Sequence, residues 1–193
     1  MRDRIYIMII SVLAISSFSG TGPDMKFFTF RILQDSIEVQ VKHKTIKLNK
    51  KPFVIEVSMS AALGIFVNAS FEERSYKISK SKRSFTEIPG FRQTGMAEAD
   101  FNRNKEIMVS VEAPNYWYYE TEKSHRFDEV KTEEGWFVCT RSIEKVYNVD
   151  TKKTFKIEEV TGDLYLVFLV KQRGKSQEAD TQLQRESLAI KWN

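Results

Sequence analysis

In Phe53-Val54-Ile55-Glu56-Val57-Ser58-Met59 every second residue is large and apolar. In an extended chain Phe53, Ile55, Val57 and Met59 fall on one face, the pattern of a half-buried strand. The same period of two recurs along the chain. Ile37, Val39 and Val41 alternate with Glu38, Gln40 and Lys42, and Ile107, Val109 and Val111 alternate with Met108, Ser110 and Glu112. Ile65, Val67, Ala69 and Phe71 share a face in the same way. Further strand runs are expected at 27–33, 135–141, 143–149, 155–160, 164–172 and 187–192, all dense in β-branched and aromatic residues.

The punctuation agrees with strands. Thr161-Gly162-Asp163 reads as a type II′ hairpin turn and Asn148 to Lys153 as a second hairpin turn. Asn49-Lys50-Lys51-Pro52 and Pro89-Gly90 mark further breaks. No long stretch carries a helical stripe, although Met96 to Asn104 has room for one or two helical turns. About ten closely spaced strands predict an all-β chain, built as a single-domain antiparallel β-sandwich. The competing architecture is an up-and-down β-barrel of lipocalin-like size. The Gly-x-Trp signature that lipocalins place near the first strand is absent, since Gly135-Trp136 is adjacent and late.

Leu164-Tyr165-Leu166-Val167-Phe168-Leu169-Val170 is apolar at every position. Both faces of that strand must then be covered, and the plain reading is a central strand under a long loop such as 79–104, with an oligomer contact through 164–170 as the alternative. Residues 79–104 read as one long polar loop, with Lys80, Lys82 and Arg83 near its start, and loops of that length are functional or disordered. Residues 174–186 read as a flexible connection.

The N-terminus carries an address. Arg2 and Arg4 precede an apolar run from Ile5 to Ile15, followed by Ser16, Ser17, Ser19 and Gly20. This is the layout of a secretory signal peptide over 1–19, cleaved to leave 20–193 as one β-rich domain. The run falls short of the roughly 20 residues that a spanning helix needs. The expected location is outside the cytoplasm, periplasmic or secreted, in a bacterial setting, with no transmembrane segment after cleavage. The only cysteine, Cys139, excludes an internal disulfide and reads as a small buried hydrophobe. The net charge of +4 is mild, with acids and bases interspersed, so no nucleic-acid partner is expected. Asn68-Ala69-Ser70 matches the N-glycosylation pattern but lies in a strand run.

One segment gathers chemistry. Tyr116, Trp117, Tyr119, Glu120 and Glu122 precede His125, Arg126 and Asp128. If the two arms pair as a hairpin across 121–124, rings, carboxylates, an imidazole and a guanidinium meet on one surface. Such a surface suits a sugar or a protein side chain, with the rings stacking and the charged groups fixing orientation. His125 with Asp128 or Glu122 has the chemistry of metal ligands, and Glu120 with Glu122 that of an acid/base pair. The alternation of Tyr116 and Tyr118 against Trp117 and Tyr119 is equally that of an ordinary aromatic strand. His43, in Lys42-His43-Lys44, reads as a solvated strand end. No nucleophile elbow, phosphate loop or metalloprotease helix occurs, so no catalytic set, metal ligand or cofactor is assigned.

The expectation is a non-enzymatic binding or interaction module for a protein or glycan in the cell envelope. The alternatives are a small exported hydrolase acting on carbohydrate or cell-wall material through Glu/Asp, and a barrel carrying an apolar ligand.

Overall fold

The computed structural model describes residues 26–60, 64–91, 105–118, 127–175 and 179–193. Among them lie strands β1 (Phe28–Gln34), β2 (Ile37–Val39), β3 (Thr45–Leu48), β4 (Phe53–Met59) and β5 (Ile65–Ser70). A short helix α1 (Arg74–Ser79) and two 3-10 turns, Phe85–Glu87 and Pro89–Phe91, follow. Then come β6 (Glu106–Val109), β7 (Asn115–Trp117), β8 (Glu129–Glu133), β9 (Trp136–Ile143), β10 (Lys145–Asn148) and β11 (Lys153–Lys156). A 3-10 turn at Ile157–Glu159, β12 (Leu164–Gln172) and β13 (Thr181–Trp192) complete the order.

The fold is an all-β sandwich. One five-stranded sheet runs β2-β1-β4-β9-β8 and a second runs β3-β13-β12-β5-β7, with a three-stranded sheet β11-β10-β6 beside them. The apolar face of β4 supplies Phe53, Ile55, Val57 and Met59, and all four are buried. They meet Leu164, Leu166, Phe168 and Val170 of β12 across the interior, while Ile107, Val109 and Val146 enter the same core from the third sheet. No sheet closes on itself, and the space between the layers is filled by side chains, so the barrel alternative is set aside.

The sandwich is not wholly antiparallel as expected. β3 pairs parallel to β13 and β6 pairs parallel to β10. β3 follows a tight turn at His43–Lys44, closed by Lys42 and Thr45, after which the chain leaves the first sheet and joins the edge of the second beside β13. The seam between the large sheets is tied by Gln184 of β13. Its amide oxygen accepts from the Phe27 and Phe28 amides at 2.7 and 3.0 Å, and its nitrogen donates to the Phe28 carbonyl at 2.9 Å.

β12 is the central strand of its sheet and is covered on both faces, as its composition demands. Its second face carries Tyr165, Val167 and Leu169, which pack with Tyr76, Phe85, Ile88 and Phe91. The cover is the chain's own segment from α1 to Phe91. Of the two covers expected for 164–170, a long loop or another subunit, the chain's own loop is the one the structure places there, and the polar segment expected at 79–104 is folded and anchored as far as Phe91. Its buried Phe85, Ile88 and Phe91 stand three apart, a helical spacing too short to show as a stripe. Residues 92–104, with the helical turns expected at 96–104, lie outside the described residues. At Gly90 a side chain would strike Asn68, so the cover lies directly against the sheet. Arg185 of β13 holds the loop before it by donating to the Ser81 and Arg83 carbonyls at 2.8 and 3.1 Å.

Other expectations change with the geometry. Thr161 to Asp163 makes no hairpin: β11 pairs with β10, and the chain then crosses by the 3-10 turn at Ile157–Glu159 to a different sheet. The 155–160 strand accordingly ends at Lys156. The turn from Asn148 to Lys153 is a hairpin, with Asn148 Oδ1 accepting from the Thr151 amide at 3.0 Å. Residues 181–186, expected in a flexible connection, belong to β13 and pair with β12 across a bulge at Val170/Lys171. β5 and β6 are buried along their whole length, not half wet. In the opposite sense, Ile37 and Val41 are exposed rather than half-buried, because β2 is an edge strand. The 1–19 signal segment lies outside the described residues. Among those described, no helix is long and apolar enough to cross a membrane.

Candidate functional site

The aromatic segment separates into two sheets. β7 pairs with β5, whereas β8 pairs with β9, so the described ends of the two arms do not pair with each other, and the hairpin expected across 121–124 lies outside the described residues. Trp117 is 2 % exposed and turns its ring into the core, 6.1 Å from Phe127 and tilted 63° to it. It cannot serve as a surface platform. Tyr116 points to the opposite face, half-buried, stacked on Phe66 at 4.5 Å and Tyr118 at 5.2 Å.

Asp128 is tied into structure. Its Oδ1 accepts from Arg141 Nη1 at 3.0 Å and its Oδ2 from the Ser142 amide at 2.5 Å. Arg141, 3 % exposed, also donates to the Glu106 carbonyl at 2.8 Å, which joins the first sheet to the third. Tyr119, Glu120, Glu122, His125 and Arg126 lie outside the described residues. The Asn68 side chain is fully buried and donates to the Ser110 and Ala113 carbonyls, so the folded chain offers no glycosylation acceptor there.

A different surface is open and ordered. The first sheet turns one face to the core, and its other face meets solvent. By register this outer face is built from rungs. Glu38, Leu33, Val54 and Ser142 lie across one rung; Arg31, Glu56, Thr140 and Glu129 across the next; Thr29, Ser58, Val138 and Lys131 across a third. Glu133 and Trp136 lie opposite each other at the β8–β9 turn, and Trp136 is half exposed on this same face. Glu56 stands at the centre. It accepts from Arg31 Nε at 2.5 Å, and Glu38 stands 3.7 Å from the same guanidinium on the other side. The hydrogen bond and charge of Glu56 hold Arg31 above its already high ordinary pKa. Lys131 and Glu129 form a second pair at 3.2 Å.

Two grooves flank Glu56. One, of about 590 Å³, runs past Asp35, Glu129, Lys131, Thr140, Ser142 and Glu144. The other, of about 410 Å³, is lined by Thr29, Arg31, Ser58, Glu133 and Val138. No protein-family model, curated protein or solved structure matches the chain. Function has to be argued from this geometry.

Chemically, the outer face offers carboxylate acceptors, hydroxyls of Ser and Thr, and two cations, Arg31 and Lys131, each paired with a carboxylate. That set hydrogen-bonds polyols and pairs with cationic side chains. Among the described residues no group of three or more His, Cys, Asp or Glu is placed to hold a metal ion. Sequence reasoning passed over Glu56 because it is the polar half of the alternation in β4 whose apolar half drew attention, and over Arg31 and Thr140 because β1 and β9 carry Leu33, Trp136 and Val138 on the same outer face and show no clean period of two. What was missing was the order of strands that brings them into one rung.

Proposed function

We propose that this chain is an exported, non-enzymatic β-sandwich binding module whose outer β1-β4-β9-β8 face holds a glycan or a protein partner of the cell envelope. One observation carries the reading. The central strand of the second sheet has both faces covered by its own chain, whereas the first sheet leaves a grooved polar face bare, with its charged side chains already positioned against one another. Preorganised side chains lose little entropy on binding, which favours recognition. Half-exposed Trp136 at the end of the face supplies the flat apolar surface that sugar rings stack on. Export rests on the basic head and short apolar run at 2–15.

The test compares wild type with Thr140→Arg, which plants a bulky cation in the central rung, and with Trp136→Ala. A glycan array and a pull-down of envelope proteins serve as the binding assays. Loss of the wild-type ligand by Thr140→Arg, in a variant that melts like wild type, supports the face. Undiminished binding by that variant removes the face from the site. A contribution from Trp136 marks the partner as a sugar, and its absence as a protein. The N-terminal mass of the exported product tests cleavage after residue 19, and a retained Met1 overturns it.

A further inference from the structure

We infer that the covered side of the sandwich, where α1 and its loop lie on the second sheet, is an electrostatic docking surface for an anionic lipid membrane. The sequence intersperses acids and bases, and the fold sorts them. The outer face of the first sheet carries Glu38, Glu56, Glu129 and Glu133 against Arg31 and Lys131, so acid is in excess there. The second sheet turns its outer face the opposite way, because β4 and β12 meet across the core. That opposite side is basic.

The charges can be followed one by one. On α1, the loop after it, β3 and β13, three cations are matched: Lys77 by Glu73, Arg83 by Glu87 at 3.9 Å and Lys191 by Asp163 at 3.3 Å. Arg74, Lys80, Lys82, Lys47 and Arg185 make no ion pair among the described residues. Glu72, just before α1, is the one carboxylate beside them without a partner, so four positive charges remain unmatched. All of these but Arg185 are exposed.

The base that carries them is packed. Lys80 Nζ lies 3.8 Å from the centre of the Tyr76 ring, and Tyr76 Oη donates to the Lys44 carbonyl at 3.2 Å. Arg185 spends its donors on the Ser81 and Arg83 carbonyls, which fixes the loop around Lys82 and leaves its charge uncancelled. Lys47 and Lys191 stand side by side in register. Arg185 and Lys191 lie on the same face of β13, six residues apart, which is roughly 20 Å at about 3.4 Å per residue. A single phosphate is gripped by donors that converge on it. Cations spread over such a distance meet several headgroups at once, and lysine, as a point charge, demands no fixed partner geometry. Docked on this side, the sandwich turns its acidic face away from a membrane that would repel it and leaves it open to a partner. That consequence, and the choice of lipid over nucleic acid, rest on the proposed export and binding; the basic face does not.

Co-sedimentation of the purified protein with vesicles tests the docking. The vesicles are phosphatidylcholine alone, or phosphatidylcholine with about one-third phosphatidylglycerol. At about 0.1 M salt wild type is expected to sediment with the anionic vesicles, to stay in solution with the neutral ones, and to be released at about 1 M salt. Each surface charge is worth about fivefold, so Lys80→Glu with Lys82→Glu, which cancels the excess, should weaken binding at least about a hundredfold. Lys145→Glu with Lys153→Glu makes the same change of net charge on the third sheet and should bind within about threefold of wild type. Thermal melts check folding, and Lys47→Glu with Arg74→Glu takes the place of the first pair if that pair does not fold. A wild type that ignores the anionic vesicles overturns the inference. So does equal, salt-insensitive binding to neutral vesicles, which marks an apolar anchor. An equal loss in both variant pairs marks net charge and overturns it too, as does a wild type that binds a DNA duplex and not the vesicles. Failure of Thr140→Arg to affect ligand binding would leave the vesicle result untouched, which separates the two proposals.

Discussion

Replacing Asp180 by alanine should cost the fold about 3 kcal/mol, through a cation left behind in an aromatic setting. Lys171 lies near the end of β12 on the face that meets the cover. Its ammonium sits 5.0 Å from the centre of the Phe66 ring and 5.8 Å from that of Phe85. Asp180 Oδ2 lies 2.5 Å from Nζ, and its Oδ1 accepts from the Gly174 amide at 2.8 Å. The two side chains are only 3 % and 7 % exposed. Burial alone would raise the Asp180 pKa. The hydrogen bonds from Lys171 and Gly174, with the charges of Lys171 and Arg173, outweigh it and hold the carboxyl below its ordinary value.

Removing one member of such a pair costs about 3–5 kcal/mol in a dry interior. The lower end applies because Arg173 to Lys175 beside it are exposed and water is near. For a chain of this size, about 3 kcal/mol lowers the melting temperature by about 6–12 °C. Lys171→Met keeps the apolar stem against Phe66 and Phe85, so adding it to Asp180→Ala should return most of the loss. The sign of the pH effect follows. The folded carboxyl titrates below the unfolded one, so its stabilisation is complete above the ordinary carboxylate pKa and is lost as pH falls through the folded value. Urea unfolding of the two single variants and the double variant, at neutral pH, gives the coupling. If Asp180→Ala costs less than about 1 kcal/mol, the pair behaves as a solvated surface bridge and the reasoning fails.

Two further outcomes are expected. Burial pushes the Cys139 thiol from 9.0 up to about 11, so it should resist alkylation at pH 8 in the folded chain and react fully in urea. Since the unfolded thiol ionises first, its share of stability is complete below pH 9 and declines as pH rises from about 9 to about 11; melts of Cys139→Ala should show a shallower decline, and an identical slope would refute the assignment. At the β8–β9 turn Gly135 has φ +82° with open space around it, and Glu134 has φ +49°. Gly135→Ala should therefore cost about 1 kcal/mol by backbone strain alone, while Glu134→Asn should stabilise slightly; a Gly135→Ala variant as stable as wild type in urea would count against the turn geometry.

Strand positions were legible wherever one face is apolar, as in β4, and also where both are, as in β12. What the alternation could not carry was partnership. Thr161-Gly162-Asp163 looks like a hairpin because strong runs flank it, but Val160 and Leu164 are both needed in the core and the chain crosses between sheets to place them. Asp35–Ser36 and His43–Lys44 build two-residue turns without glycine, with all four residues at positive φ, so no Asn-Gly or Gly-Asp marks them. The short apolar spacing of Phe85, Ile88 and Phe91 was hidden among lysines and serines that now face water. Trp117 shows the limit for the site: its neighbours in sequence are polar and aromatic, but its ring is buried against Phe127, ten residues further along the chain.

These observations turn the search for a site into a question about sheets. A strand apolar on both faces must find a cover, and this chain folds α1 and the following 3-10 turns over β12 to provide one. That cover consumes Tyr116, Tyr76 and Tyr165, three of the rings that would otherwise look like a recognition surface. A strand with a clean alternation needs a cover on one face only, and its polar face stays available. β4 is such a strand, and its off-beat Glu56 aligns in one rung with Arg31 of β1 and Thr140 of β9 on either side. The aromatic cluster is the more conspicuous feature of the sequence, yet packing already satisfies its described members. The rung at Glu56 is held by ion pairs at the surface, where ordering side chains is costly and packing does not require it. Order without a packing reason is the better pointer to a binding role.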